Sequence, residues 1–359
     1  MIKSETLGED WIMGFRKKPG LQKSDPAVIE KMIYALYLLE NLAKQKLDFI
    51  FKGGTSLILI TKESNRFSVD IDICSTVNRN KLEILLANVI QQSEFNSVEL
   101  DKHRSYENTK IPKAHYSFSY QSHFNTNANY ILLDILFQDN IYPEINKLEI
   151  NTEWLITEEP FLKVATPSAN SILGDKFTAF APNTTGVPYR KGKELEIVKQ
   201  LFDISMLINE ADDYKIVDTS FLRVAIMEIG YRKLSITSFD VLNDIFNTAL
   251  LIAKREKNKR GGLEKFNEIR TGLLKIQGFI IGSAFRIEKA IEASAKSAWF
   301  AMKLKNKNYS PIELYNPKID VAKIYIENKD YQFLNKLKKA NKPAFYYWYK
   351  CLEEIGELK

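Results

Sequence analysis

Phe51-Lys-Gly-Gly-Thr-Ser-Leu57, followed by Arg66-Phe-Ser-Val-Asp-Ile-Asp-Ile73, is the stretch on which the reading of the fold turns. Val69, Ile71 and Ile73 alternate with Ser68, Asp70, Asp72 and Cys74, so Phe67 to Cys74 reads as a strand with one apolar face. Asp70 and Asp72 project together from the other face. Two carboxylates so close repel strongly unless a cation lies between them. Mg²⁺, or Mn²⁺ in its place, is the expected cation, because it takes oxygen ligands and keeps positions open for phosphates and water. Before the acids, Phe49-Ile50-Phe51 reads as a short strand, broken by Gly53-Gly54. Glycine lets the backbone approach an anion at positive φ. Thr55 and Ser56 add hydroxyl donors, and a helix beginning within Leu57–Thr61 would aim its first N–H groups at the same anion. A lone Asp-x-Asp or Gly-Gly is commonplace. Their occurrence together in a strand–turn–helix–strand order is far more specific, and suits a metal-bound triphosphate.

Outward from this unit, Asp25 to Leu47 predicts a helix, capped by Asp25 and opened by Pro26. Ile29, Met32, Ile33, Leu36, Leu39 and Ala43 recur along it at helical spacing. Lys81–Glu94 predicts a further helix, and Tyr116–Tyr120 and Tyr130–Phe137 further strands. After Pro167 the pattern becomes helical, over Ser171–Phe180, Glu194–Asn209, Phe221–Glu228, Asp240–Lys254 and Glu264–Lys296. The last carries Gly272, Gly278 and Gly282 as candidate breaks, and Pro182 to Lys193 is the most linker-like segment. The expected organisation is α+β, a mixed-sheet domain over 1–165 and then a helical domain over 166–359.

Composition narrows the class. Hydrophobic residues make up 45% and charged ones 27%, which describes a folded chain with a sizeable core rather than a disordered one. No apolar stretch approaches the length of about 18 residues that a membrane helix needs. The start lacks the basic and then apolar run of a signal peptide, and the two cysteines, Cys74 and Cys351, are far apart, so a reducing cytoplasm is the expected setting. The net charge of +6 suggests a polyanionic partner. No Walker loop, Gly-x-Ser-x-Gly or dinucleotide fingerprint is present.

The Gly-Gly and Asp-x-Asp stretches together resemble the AbiEii/AbiGii toxin family of nucleotidyltransferases, to which the MenT toxins are related, within the polymerase-β-like superfamily. Val69 stands where that family often has Glu, on the face opposite the acids. The resemblance implies metal ligation by Asp70 and Asp72, and nucleotide binding by Gly53, Gly54, Thr55, Ser56, Arg66 and Ser68. Tyr130-Ile-Leu-Leu-Asp-Ile-Leu136 resembles the strand bearing the third carboxylate, here Asp134, as a further metal ligand or a base on the incoming hydroxyl. Pro167 to Lys176 resembles the helix whose lysine, here Lys176, contacts nucleotide phosphates. Lys199-Gln-Leu-Phe-Asp203 resembles a helix whose later acid, here Asp203, lies near the active site, with Lys199 beside it, although Gln200 replaces that pattern's first acid. Lys199 and Asp203 also suit an ordinary intrahelical ion pair.

The activity implied is NMP transfer from an NTP to an acceptor hydroxyl. The acceptor implied is RNA, tRNA 3′ ends foremost, with a cognate antitoxin and no membrane. Two alternatives stand beside it: a small-molecule, antibiotic-type nucleotidyltransferase, and a non-catalytic nucleic-acid-binding protein on the same scaffold. Two basic stretches suit an RNA acceptor, Lys254 to Arg260 and the group Lys336, Lys338, Lys339 and Lys342 ahead of Phe345-Tyr-Tyr-Trp-Tyr349. Each alone also reads as a solvated helix end or a packed aromatic face. His103, His115 and His123 fit no zinc spacing and read as surface or core histidines.

Overall fold

The computed structural model describes residues 1–61, 65–106, 111–126, 128–255 and 262–359. The chain divides into two compact units, Met1–Ser168 with Gly278–Ala284, and Ala169–Gln277 with Phe285–Lys359.

In the first unit a short helix α1 (Glu9–Phe15) precedes α2 (Pro26–Lys44), where the Asp25 carboxylate accepts from the Ala27 N–H and caps the first turn. There follow β1 (Ile50–Lys52), α3 (Gly53–Ile60), β2 (Ile71–Ser75), α4 (Arg79–Gln91), β3 (Ser97–Leu100), β4 (Lys113–Tyr120), β5 (Asn129–Phe137), β6 (Ile145–Glu149) and β7 (Lys163–Pro167). The strands form one mixed sheet in the order β3-β4-β5-β2-β1-β7-β6. The pairs β2–β5 and β1–β7 are parallel and the rest antiparallel. The apolar face of α2, with Ile29, Met32, Ile33, Leu36 and Leu39, joins Phe51, Ile71, Ile73, Leu133 and Ile135 in a single buried core. Each such side chain contributes about 1.5–3 kcal/mol.

Two expectations about the central stretch need correction. The strand expected over Phe67–Cys74 begins only at Ile71. Ahead of it the Phe67 N–H donates to the carbonyl of Phe279, and Arg66 bridges to Ile280, so the returning 278–284 segment claims these backbone groups. The helix expected from Leu57 starts at Gly53, so the glycine pair is its first turn and not a loop before it. Strands β3 and β6 were not anticipated because few of their side chains are buried, which leaves a faint apolar alternation.

The second unit comprises α5 (Ala169–Ala179), α6 (Glu194–Glu210), α7 (Tyr214–Arg232), α8 (Ser238–Lys254), α9 (Gly262–Lys275), α10 (Ile287–Lys305), α11 (Leu337–Ala340) and α12 (Lys342–Glu354). The fold class is α+β with a helical second unit, as the sequence predicts. The Glu264–Lys296 stretch is two helices. Gly272 lies within α9, where a Cβ would come 2.2 Å from the Glu194 carbonyl oxygen, so it serves a close helix–helix approach, and the break falls between Lys275 and Ile287. The Pro182–Lys193 segment is no linker, since it lies wholly within this unit. The Asp244 carboxylate accepts from the Asn183 N–H and the Thr184 hydroxyl, and pins the loop. Burial pushes that carboxyl above its ordinary pKa, opposed by these hydrogen bonds. Phe345, Tyr346, Tyr347 and Trp348 are buried on α12 and form core rather than a surface for bases. Of the Lys254–Arg260 stretch, Lys257, Lys259 and Arg260 lie outside the described residues. No described helix is long and apolar enough to cross a membrane.

Candidate active site

Four neighbouring strands bring four polar residues into one row. The register sets Lys52 of β1 opposite Asp72 of β2, Asp72 opposite Asp134 of β5, and Asp134 opposite His115 of β4. Directly paired residues share a face of the sheet, with Cβ atoms about 4.5–5.5 Å apart. The row therefore reads cation, carboxylate, carboxylate, imidazole. On the opposite face Ile71, Ile73, Leu133 and Ile135 are buried in the core, so the acids cannot turn inward without unpacking the sheet.

Beyond the row, His115 Nδ1 lies 2.5 Å from Asp134 Oδ1, and the ring is 5% exposed. Its Nε2 is buried without a hydrogen-bond partner. A proton on Nδ1, donated to Asp134, is the tautomer that leaves no buried N–H unsatisfied. Asp70, just ahead of β2, has its backbone carbonyl held by the Thr55 hydroxyl. Lys31 of α2 lies in the field of Asp70: burial lowers its pKa, and Asp70 acts to raise it. The Lys31 ammonium also sits 4.6 Å from the centre of the Tyr130 ring.

The glycine pair is shaped around these groups. Gly53 has φ of +77°, and a Cβ on it would fall 2.0 Å from Asp72 Oδ2. A Cβ on Gly54 would fall 2.6 Å from Arg66 Nη2 and 2.9 Å from Ser68 Oγ. The absence of side chains thus lets a carboxylate, a guanidinium and a hydroxyl reach the N-terminus of α3, where backbone N–H groups and the helix dipole favour an anion. Thr55 and Ser56 are buried and donate to the protein itself: Thr55 to Ser68 Oγ and the Asp70 carbonyl, Ser56 to the Gly53 carbonyl.

In the helical unit Lys176 and Asp203 are brought together. Lys176 Nζ lies 2.8 Å from Asp203 Oδ2, with both residues buried. Gln200, which stands in place of the acid in the resembling pattern, accepts from the same ammonium at 3.1 Å. Lys176 of α5 thus reaches Asp203 from a neighbouring helix, and Lys199 sits half-buried on the same helix as Asp203.

Sequence reasoning missed His115, Lys52 and Lys31. The expected strand began at Tyr116, one residue too late to include His115, whereas β4 begins at Lys113. The alternation of Ala114, Tyr116 and Phe118 would have set His115 on the polar face, but only the register shows what it faces. His103 is exposed, and His123 is tied to the Leu7 carbonyl. Among the described residues no group of three or more His, Cys, Asp and Glu side chains is drawn together to hold a metal ion.

Comparison with known proteins gives one family. The sequence model described as nucleotidyl transferase AbiEii toxin, type IV toxin–antitoxin system, matches residues 37–261. No curated protein matches the chain. Solved structures that resemble it include JHP933 from Helicobacter pylori, at 15% identity over 78% of this chain and 94% of that one, with a TM-score of 0.44. A candidate nucleotidyltransferase from H. pylori is 17% identical over 79% and 97%, with a TM-score of 0.44. An antigenic nucleotidyltransferase-like protein from Paracoccidioides brasiliensis is 16% identical over 58% and 94%, with a TM-score of 0.35.

Proposed function

The chain belongs to the nucleotidyl transferase AbiEii toxin family, and from that premise we propose that it transfers NMP from an NTP to a hydroxyl of RNA, tRNA 3′ ends foremost. In this reading it is the toxin of a bacterial toxin–antitoxin or phage-abortive system, acts in the cytoplasm and is restrained by a cognate antitoxin. One observation carries the chemistry: Asp72 and Asp134 stand directly opposite each other in adjacent strands. Like charges so paired destabilise a sheet unless something offsets them. The carboxylate donor set, and the cradle that a Cβ on Gly53 would fill against Asp72, both fit a hard divalent cation and its phosphate. Asp70, Asp72 and Asp134 would hold Mg²⁺, or Mn²⁺, which when bound supplies charge stabilisation at the attacked phosphorus.

The chain's own residues supply the rest. The N-terminus of α3 at Gly53 and Gly54, with Arg66 and Ser68 beside it, binds phosphate oxygens. Thr55 and Ser56 hold that turn in place through their internal hydrogen bonds. Asp134 receives the proton of the acceptor hydroxyl as its oxygen bonds to the α-phosphorus and pyrophosphate leaves, and His115 orients that carboxylate. Lys176, Asp203 and Lys199 serve nucleotide binding.

The test incubates the protein with each labelled NTP separately, against total tRNA and against an aminoglycoside. Label on tRNA alone is the expected result, and label on the aminoglycoside alone would overturn the acceptor. Asp70→Asn and Asp72→Asn should each lower transfer by roughly a thousandfold, with melting temperature unchanged or raised. Near wild-type transfer by either variant rejects the acid pair.

A further inference from the structure

Lys254 and Arg255 are linked through neighbouring side chains to the basic segment 336–342, which is remote in sequence. Lys254 ends α8 with its ammonium 5.2 Å from the centre of the Phe333 ring. Arg255 follows, its guanidinium 3.4 Å from Glu288, whose backbone carbonyl in turn accepts from the Asn341 side chain. The end of α8 is thereby fastened to both ends of the Phe333–Lys342 segment. Within that segment Lys338 Nζ lies 4.8 Å from the Tyr325 ring and 5.2 Å from the Phe345 ring. Lys336, Lys339 and Lys342 are exposed. Among the described residues no carboxylate pairs with Lys254, Lys336, Lys338, Lys339 or Lys342, so their charge is left to solvent or to a ligand. The rings differ in access: Phe345 is core, Phe333 is half-buried, and Tyr325 is 55% exposed.

Ammonium groups that no described carboxylate pairs, with the exposed Tyr325 ring beside one of them, match the chemistry of an unpaired nucleic-acid strand, whose phosphates take the cations and whose bases take the ring. An acidic protein segment would use the charges and leave Tyr325 idle. We propose that the end of α8 and the Tyr325–Lys342 segment form one docking face for RNA, engaging its single-stranded parts. The proposal rests on RNA as the acceptor. It replaces two separate basic segments with a single surface, most of it beyond the residues that the family model matches.

The experiment measures binding of fluorescein-labelled total tRNA to the full chain by anisotropy across a salt series. Lys254→Gln, Lys336→Gln, Lys338→Gln and Lys339→Gln combined should reduce the slope of log affinity against log salt by about 2 to 3, since each single-strand phosphate contact contributes roughly 0.7. The same four positions changed to Arg should keep the wild-type slope, which separates lost charge from lost fold. Tyr325→Ala should weaken binding roughly fivefold or more at every salt concentration without changing the slope. NTP affinity by calorimetry should be unchanged in all three. If the wild-type chain labels tRNA while the Gln variant keeps the full slope, the face is wrong and the acceptor reading stands. If the wild-type chain neither binds nor labels tRNA, the acceptor reading fails and the face with it. Loss of poly-glutamate binding in the Gln variant, with tRNA binding intact, would assign the face to an acidic protein instead.

Discussion

Asp134 takes the His115 ring on Oδ1, and the described structure puts no hydrogen bond on its Oδ2. One oxygen is thus anchored and the other is available to the acid row. A residue that orients a reacting carboxylate in this way typically contributes 10–100-fold to activity. His115→Leu removes the anchor and is expected to lower kcat by about that factor while leaving the KM for NTP within about twofold. His115→Asn keeps an N–H donor at similar reach and should recover much of the loss. Steady-state kinetics of the two variants make the check, and equal activity in His115→Leu and wild type would remove His115 from the site. The identities and spacing of Asp70, Asp72 and the glycines were readable because the direction of Asp72 on its strand and the positive φ of Gly53 are local properties. The role of His115 was not, because its partner lies on another strand.

Between elements, α5 and α6 are joined by the Lys176–Asp203 pair, with Gln200 as a second acceptor. Removing one partner of a buried pair leaves an uncompensated charge, which costs about 3–5 kcal/mol, whereas replacing both with apolar groups can be close to neutral. Lys176→Met should therefore destabilise the protein by about that amount, and Lys176→Met with Asp203→Leu should regain most of it. Urea melts of the single and double variants measure this. A double variant no more stable than the single one would show that the two side chains act independently. The element pattern itself was legible where the apolar period was strong, as in α2, α6 and α8. It failed at β6, whose side chains are largely solvent-facing, and at α3, where Gly-Gly signals a turn but the chain uses it as a helix start.

For the folded molecule as a whole, α10 carries a buried cation that links pH to stability. Lys296 is 7% exposed, and its ammonium donates to the Ser205 carbonyl and to Asn209 Oδ1 of α6. Burial pushes its pKa from 10.5 down to about 8, with Glu292 acting to raise it. In the unfolded chain the same amine holds its proton up to about 10.5, so between these values the unfolded state binds more protons and raising the pH favours folding. The folded state thus bears the cost of the buried charge below about pH 8 and is relieved of it as the pH climbs toward 10.5. The unfolding free energy of wild type relative to Lys296→Met should rise by roughly 2 kcal/mol from pH 7 to pH 10. Chemical denaturation at a series of pH values tests it, and a constant difference would mean that Lys296 titrates normally.

By itself the sequence determined the α+β class and the helical second half, and it set the glycine pair and the two acids close together in the chain, since each depends on the pattern of neighbouring residues. Tertiary structure decided what those residues meet. It set Asp134 against Asp72, His115 against Asp134, Lys176 against Asp203, and Lys254 against Phe333. Register and helix packing are settled by burying the whole apolar surface at once, and no local window of the chain carries that sum.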